Sequence, residues 1–443
     1  MNQNNAVIAH NRINSRRQPV IRDTPARHSA TDRVRGGHVW TANQPASTEI
    51  IPARVVFLTH YIPLYQVRVL QAIAQRVQDF HVLLSTHIEP NRDFQVDWGG
   101  LDVSVQKTVT IRRRWKQKLA DSHASFVDPL YVHFPRDTSS RLSKLRPDIV
   151  MSLELGARSL GAVRYCQNHP ETKSILCTYM SEHTETNRGW MRKLLRRQLI
   201  QRADAITYNG PSCHRYLRQL GADPSRLYRL PYAADDRTLC RPPDDSNDSR
   251  KRSRLLYVGQ LCARKGVVPM INQLAAYCNR YPQRVIELRL AGDGPLQSEI
   301  QGFERPPNLT MKLLGNLPPL ALANEMKQCG ASIAPTLADE WLMVVNEALH
   351  AGLPVIGSIY AQATTTLIRN GVNGWQYDPC DNASLAIALD QYFGLSSADV
   401  ELMQRRCQES IAHCTPNWAA EGVISAIADL VGVSKKITGG DVT

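Results

Sequence analysis

Short apolar runs alternate with helix-spaced segments along most of this chain, in two separate series, and this alternation constrains the fold more than any other feature. In "ARVVFLTHYIPLYQVRVLQAIAQR", Val55 to Leu58 reads as a buried strand and Leu64 to Arg76 carries apolar residues at helical spacing. The pattern returns in "FHVLLST", in "PDIVMSL" with a Gly-Ala-rich helix after it, in "KSILCTYM" before "GWMRKLLRRQLIQR", and in "ADAITYNG" before "PSCHRYLRQLG". Strands that are apolar on both faces, each followed by a helix, imply a parallel sheet with helices on both sides.

A second series follows "CRPPDDSNDSRKRSR", a prolyl and charged stretch with no apolar residue past its opening Cys240. It runs through "RLLYVGQ", "VIELRLAGDGP", "MKLLGNLPP", "GASIAPT" and "LPVIGS". The expected organisation is α/β: a Rossmann-like domain over 51–238, a linker over 239–253, and a second doubly wound domain over 254–415. Residues 416–433 form a C-terminal helix able to cross back to the first domain. Two such domains face each other across a cleft at the C-terminal edges of their sheets, where ligands bind.

At 443 residues and 43% hydrophobic content, the chain is too long for one ordinary core, in keeping with two. No stretch approaches the roughly 18 to 20 apolar residues of a membrane-spanning helix. Residues 1–50, with seven Arg against three acids, lack the apolar centre of a signal peptide and read as a disordered basic arm. The formal charge of +13 favours anionic partners: nucleic acid, an acidic membrane surface or phosphorylated ligands. Ten cysteines without a CxxC pair indicate neither a zinc site nor a disulfide framework, and read as reduced, mostly buried thiols.

Several motifs carry chemistry. "GQLCARKG", Gly259 to Gly266, follows a strand and holds Arg264 and Lys265, an arrangement that serves a solvated turn or a phosphate cradle. "AGDGPL" reads as a tight strand-to-helix corner, and neither segment gives the GxGxxG fingerprint of a dehydrogenase. In "LADEWLMVVNEALHAGLPVIGS" a helix is expected from about Leu342, with Asp339 in the loop before it and Glu347 on it. In the first domain "TYMSEHTETNRG" gathers Glu182, His183, Glu185 and Arg188 at a strand end, and "YIPLYQ" brings Tyr61 to the opening loop. The basic clusters Lys107–Lys118 and Asn187–Arg202 read first as solvated helix faces. The second mixes its Arg and Lys with Trp190, Leu194 and Leu199, which suits docking on anionic lipid. No RNP-like or zinc-finger motif accompanies them, so nucleic-acid binding is not expected.

The order of these pieces resembles the retaining family 4 glycosyltransferases of GT-B type. The resemblance spans Arg54 to Leu430 and is most specific from Tyr257 to Pro379, where strand-G-Q-L-x3-K-G, "AGDGP", "LLGNLPP", the acidic pair and "AGLPVIGS" follow in turn. It implies a nucleoside diphosphate sugar donor, held by Gly259, Arg264, Lys265, Asn316, Leu317, Met343, Val344 and Glu347. Glu347 would take the ribose hydroxyls and Asp339 the sugar. Catalysis would fall to His183, Asp339 and Lys265, with Tyr61, Glu182, Glu185 and Arg188 on the acceptor side, no metal and no cofactor. The expected acceptor is a glycan or lipid-linked sugar, and the expected location is the cytoplasm, with the basic helix able to rest on the inner face of the membrane. The chain departs from the pattern in having Asp339 for Glu, Gln260 for Arg, Leu342 for Gly, Thr364–Thr366 where relatives carry Glu, and no Gly-Gly pair in the opening loop. These departures keep a second expectation open, a GT-B protein that binds a nucleotide sugar or glycan without turnover.

Overall fold

The computed structural model describes residues 49–89, 97–118, 125–186, 188–234, 236–239 and 250–433. Residues 1–48 of the basic arm, 240–249 of the linker and Asn187 at the start of the second basic cluster lie outside them.

The first domain supplies β1 (Ile51–Thr59), β2 (Val77–Leu84), β3 (Asp102–Val105), β4 (Thr108–Lys118), β5 (Ser125–Pro135), β6 (Ile149–Leu153), β7 (Lys173–Cys177), β8 (Ala205–Tyr208) and β9 (Leu227–Arg229). Seven of these form a parallel sheet in the order β3-β2-β1-β6-β7-β8-β9. The second domain supplies β10 (Arg254–Val258), β11 (Ile286–Ala291), β12 (Leu309–Gly315), β13 (Ala331–Ala334), β14 (Val355–Ser358) and β15 (Gly374–Tyr377), in the order β12-β11-β10-β13-β14-β15 and also parallel. In both, the order reverses beside the first strand of the domain, opening a crevice there.

Strand β1 shows why continuous apolar runs become parallel strands. Val55 and Phe57 enter one core cluster while Val56 and Leu58 enter another, so both faces are covered. The first of these clusters is completed from the far end of the chain. Helix Pro416–Leu430, capped by Thr415 whose hydroxyl accepts the Trp418 N–H at 3.2 Å, places Ala419, Ala420, Val423, Ile424 and Ile427 against the first sheet. Full burial of Val423, Ile424 and Ile427 stabilises by about 1.5 to 3 kcal/mol each. Arg76 with Glu421 at 3.3 Å and Tyr228 with Asp429 at 2.9 Å fix its register.

Two elements differ from the sequence reading. Lys107–Lys118 is not a helix face: Thr108–Lys118 is strand β4, paired antiparallel with β5 along its whole length. Its Thr-Val-Thr-Ile start and Trp115 are strand formers, and the Arg run masked their alternation. The helix expected from Leu342 starts at Val344 with Met343 as cap and ends at His350, because Leu342 has φ of 86° and cannot lie in a right-handed helix.

Gly422 decides how closely the last helix packs. A Cβ there would lie 2.0 Å from the Arg229 carbonyl oxygen of β9. Gly422→Ala gains about 1 kcal/mol of helix propensity, but it must displace a backbone carbonyl, and overpacking of this kind costs about 1 to 3 kcal/mol. The expected result of thermal and urea unfolding is a net loss of stability; a variant as stable as the wild type would show that the helix is not held at this distance.

Candidate active site

The loop after β10 opens the site. Gly259 N–H donates to Ala291 O at 2.9 Å, the Tyr257 hydroxyl donates to Gln260 O at 2.8 Å, and a single 3-10 turn, Ala263–Lys265, presents Arg264 and Lys265. The "AGDGP" corner packs against this loop backbone to backbone. A Cβ on Gly292, at φ of 135°, would meet Gly259 O at 2.0 Å, so the corner shapes the loop from behind, as a structural turn does.

Four charges form a row. Lys265 Nζ donates to Asp339 Oδ2, Arg264 Nη1 lies 3.5 Å from the same oxygen, and Arg264 Nε donates to Asp128 Oδ2 at 2.6 Å. Arg264 Nη1 also donates to Ala338 O at 3.1 Å. Burial alone would raise the Asp339 carboxyl, but the Lys265 and Arg264 charges outweigh it and hold it below the usual carboxylate range. Burial lowers Lys265, against the pull of Asp339.

Glu347 stands apart. It is half-buried on helix Val344–His350, and its carboxylate makes no hydrogen bond or ion pair with any described residue. Burial alone pushes it up to about 7. Two more carboxylates border the cleft and were not singled out from sequence. Glu340, although part of its surface meets solvent, is pushed up to about 8 by burial first and then by Glu154, Glu185 and Asp339, with Arg188 opposing. Glu154 follows β6 with φ of 69°, a backbone conformation that costs a non-glycine residue on the order of 1 to 2 kcal/mol.

His183 bridges the domains. Its Nε2 donates to Leu337 O at 3.0 Å and its ring stacks on Tyr360, centroids 4.8 Å apart. Burial lowers its pKa, partly countered by the Leu337 bond, so the ring is neutral with Nδ1 left as the acceptor nitrogen. Gln362 makes a second bridge: its Oε1 accepts from Ser212 N at 2.9 Å and Cys213 N at 3.1 Å at the start of helix Pro211–Gln219, and its Nε2 donates to Glu340 O at 2.9 Å.

The other residues named from sequence are placed as follows. Glu185 is buried in an ion pair with Arg196, and Glu182 is held by Arg215 at 2.8 Å, Ser212 at 3.2 Å and Gln219 at 2.8 Å, so both are engaged within their own domain. Arg188 donates to Thr184 O at 2.9 Å and lies 4.4 Å over the Trp115 ring. Tyr61 is buried, edge-on to His60. Asn316 is exposed and Leu317 half-buried after β12, while Met343 and Val344 open the Glu347 helix. Asp128, in β5, had no sequence signal beyond being the one acid in an otherwise apolar and aromatic strand. The nine described cysteines are unpaired and eight are buried. Among the described residues no group of three or more His, Cys, Asp or Glu is arranged to hold a metal ion.

Comparison with known proteins gives a family match for the second domain and a fold for the chain. Residues 252–394, which hold the charge row's Lys265, Arg264 and Asp339 together with Glu347, match the family described as glycosyl transferases group 1. No curated protein matches the sequence. Among solved structures, Anabaena HepE in complex with UDP superposes with a TM-score of 0.64 at 14% identity, over 85% of this chain and 100% of that one. The apo lipopolysaccharide outer core galactosyltransferase WaaB gives 0.61 at 15%, over 85% and 99%. Sucrose-phosphate synthase from Thermosynechococcus elongatus gives 0.61 at 15%, over 86% and 100%. The second domain thus matches the glycosyl transferases group 1 family, and the chain is built on the GT-B fold.

Proposed function

We propose that this enzyme moves a hexose from a nucleoside diphosphate sugar to a glycan or lipid-linked acceptor, with retention and without a bound metal. The observation that carries the reading is Glu347: a half-buried carboxylate with no partner among the described residues, on the helix that follows Asp339 of the charge row. Such a group is costly to leave unpaired, and a ribose offers two hydroxyl donors to it. HepE, which shares the fold, is known in complexes with UDP and with UDP-glucose, which favours UDP as the nucleotide.

The donor diphosphate meets Lys265 and Arg264, whose positive charge replaces that of a metal as the leaving group departs. Asp339 faces the sugar from the loop before the helix. The neutral His183 ring, fixed by Leu337, can accept a sugar hydroxyl at Nδ1. Same-face attack by the acceptor then gives retention. The second reading, binding without turnover, is favoured by one observation: Asp339 and Asp128 already compensate Lys265 and Arg264. Incubation with a panel of nucleotide sugars, following donor hydrolysis, separates the two; a chain that binds UDP but consumes no donor is the binding protein.

The acceptor domain also carries a surface suited to an anionic membrane. On helix Trp190–Arg202, Trp190, Met191 and Leu194 are 73%, 69% and 49% exposed, beside Arg192, Lys193 and Arg197. Arg188 and Arg196 do not belong to this face, since one packs on Trp115 and the other is buried with Glu185. No helix among the described residues is long and apolar enough to cross a membrane.

Three outcomes follow. UDP affinity measured by calorimetry should rise with pH through about 7, because the hydroxyls select the ionised Glu347; a carboxyl protonated below its pKa forfeits up to about tenfold per pH unit. Glu347→Gln should flatten that rise, and an identical pH profile would remove Glu347 from the ribose site. Lys265→Ala should lower kcat by about 100-fold while weakening UDP binding much less, since its charge is needed most as the diphosphate leaves; small and equal effects would assign it to a structural turn. In sedimentation with vesicles containing phosphatidylglycerol, Trp190→Ala with Lys193→Glu should abolish a binding that neutral vesicles do not support, and retained binding would exclude this face.

A further inference from the structure

We infer that Asp128, from the acceptor domain, is a positioning residue for the donor-side Arg264, an inference that rests on the nucleotide-sugar reading above. Asp128 lies in the hairpin of β4 and β5, which leaves the first sheet between β3 and β6 and reaches the donor loop. Phe126 packs there in one apolar cluster with Leu337 and Ala338, joined by Trp115 and Tyr360. Gln117 Nε2 donates to His183 O at 3.1 Å, so the same hairpin also braces the His183 segment.

The geometry around Arg264 is specific. Asp128 takes Nε at 2.6 Å, Ala338 O takes Nη1 at 3.1 Å, and Nη2 has no partner among the described residues. Both side chains of the Arg264–Asp128 pair are 13% exposed, and the guanidinium lies 5.8 Å from the Trp115 ring centroid. A planar guanidinium fixed along one edge and one corner cannot rotate, so its remaining nitrogen is held in one direction. Asp128 therefore orients a charge it also partly neutralises. Its contribution falls on the transition state, where a fixed N–H meets developing charge, more than on nucleotide binding, where a freed Arg264 charge attracts the diphosphate at least as well.

A second consequence is that the pair forms only with the two domains together, because its members come from different sheets' domains. Donor-site assembly is thereby tied to hairpin docking, and this bond joins the His183 and Gln362 bridges in aligning the acceptor and donor halves.

The test uses the full chain and the nucleotide sugar that the wild type consumes. Asp128→Asn keeps size and shape and should lower kcat by roughly 10- to 100-fold, as a misplaced catalytic group does, while UDP affinity by calorimetry stays within about threefold or tightens. Asp128→Glu should recover part of the rate. In an Arg264→Gln background Asp128→Asn should cost nothing further, whereas a merely structural role predicts the same loss in both backgrounds together with a lowered Tm. Should Asp128→Asn fail to fold, Arg264→Lys, which keeps the charge but loses the fork, should show the same split between kcat and affinity. A folded Asp128→Asn with wild-type kcat, or additive losses in the double variant, overturns the inference. A wild type that consumes no nucleotide sugar overturns the functional reading itself, and this role with it.

Discussion

Buried charge governs this structure. Lys265, Asp339, Arg264 and Asp128 alternate in sign along one row with little access to water, and each charge offsets the desolvation cost of the next. Three belong to the second domain and the fourth arrives on a hairpin from the first. The row therefore needs that hairpin in place, and the hairpin in turn needs the apolar contact of Phe126 with Leu337 and Ala338. Electrostatics at the site and packing between the domains are one problem with one solution. The neutral bridges of His183 and Gln362 add to it by satisfying backbone groups that the closed cleft would otherwise strand.

How much of this was legible depended on distance along the chain. Runs such as Val55 to Leu58 announce buried parallel strands because each residue's fate is set by its neighbours' hydrophobicity. Glu347 and Asp339 draw notice because two acids flank an almost wholly apolar segment, and their expected roles come from the family resemblance. The hairpin was not legible. Strand β4 shows its alternation only at Val109 and Ile111 before Arg112, Arg113 and Arg114 obscure it, and its partner strand begins only at Ser125. Asp128 is one acid in a strand, and nothing local says that an arginine more than a hundred positions later will meet it. The carboxyls of Glu154 and Glu340 were equally silent, since their importance comes from being near each other across the cleft.

Two non-glycine residues with positive φ border the cleft, Glu154 at 69° and Leu342 at 86°. Leu342 stands where a glycine would carry no penalty, yet its side chain is buried in the core of the second domain. The left-handed backbone costs on the order of 1 to 2 kcal/mol, and removal of a buried leucine side chain costs more, about 2 to 5 kcal/mol. Packing wins, so the leucine is retained by the core and the backbone bends to suit it. The short helix carrying Glu347 starts two residues later for that reason.

The return of the last helix to the first sheet has a consequence for how the molecule comes into being. Ala419, Ala420, Val423 and Ile427 cover a face of the first sheet, and they are translated only after the strands of both domains. Until then the first-made domain keeps an uncovered apolar face, while the second, whose main core cluster is drawn from residues 234–414, has every piece it needs once they emerge. Order of synthesis and order of completion are reversed: the half translated first is the half finished last.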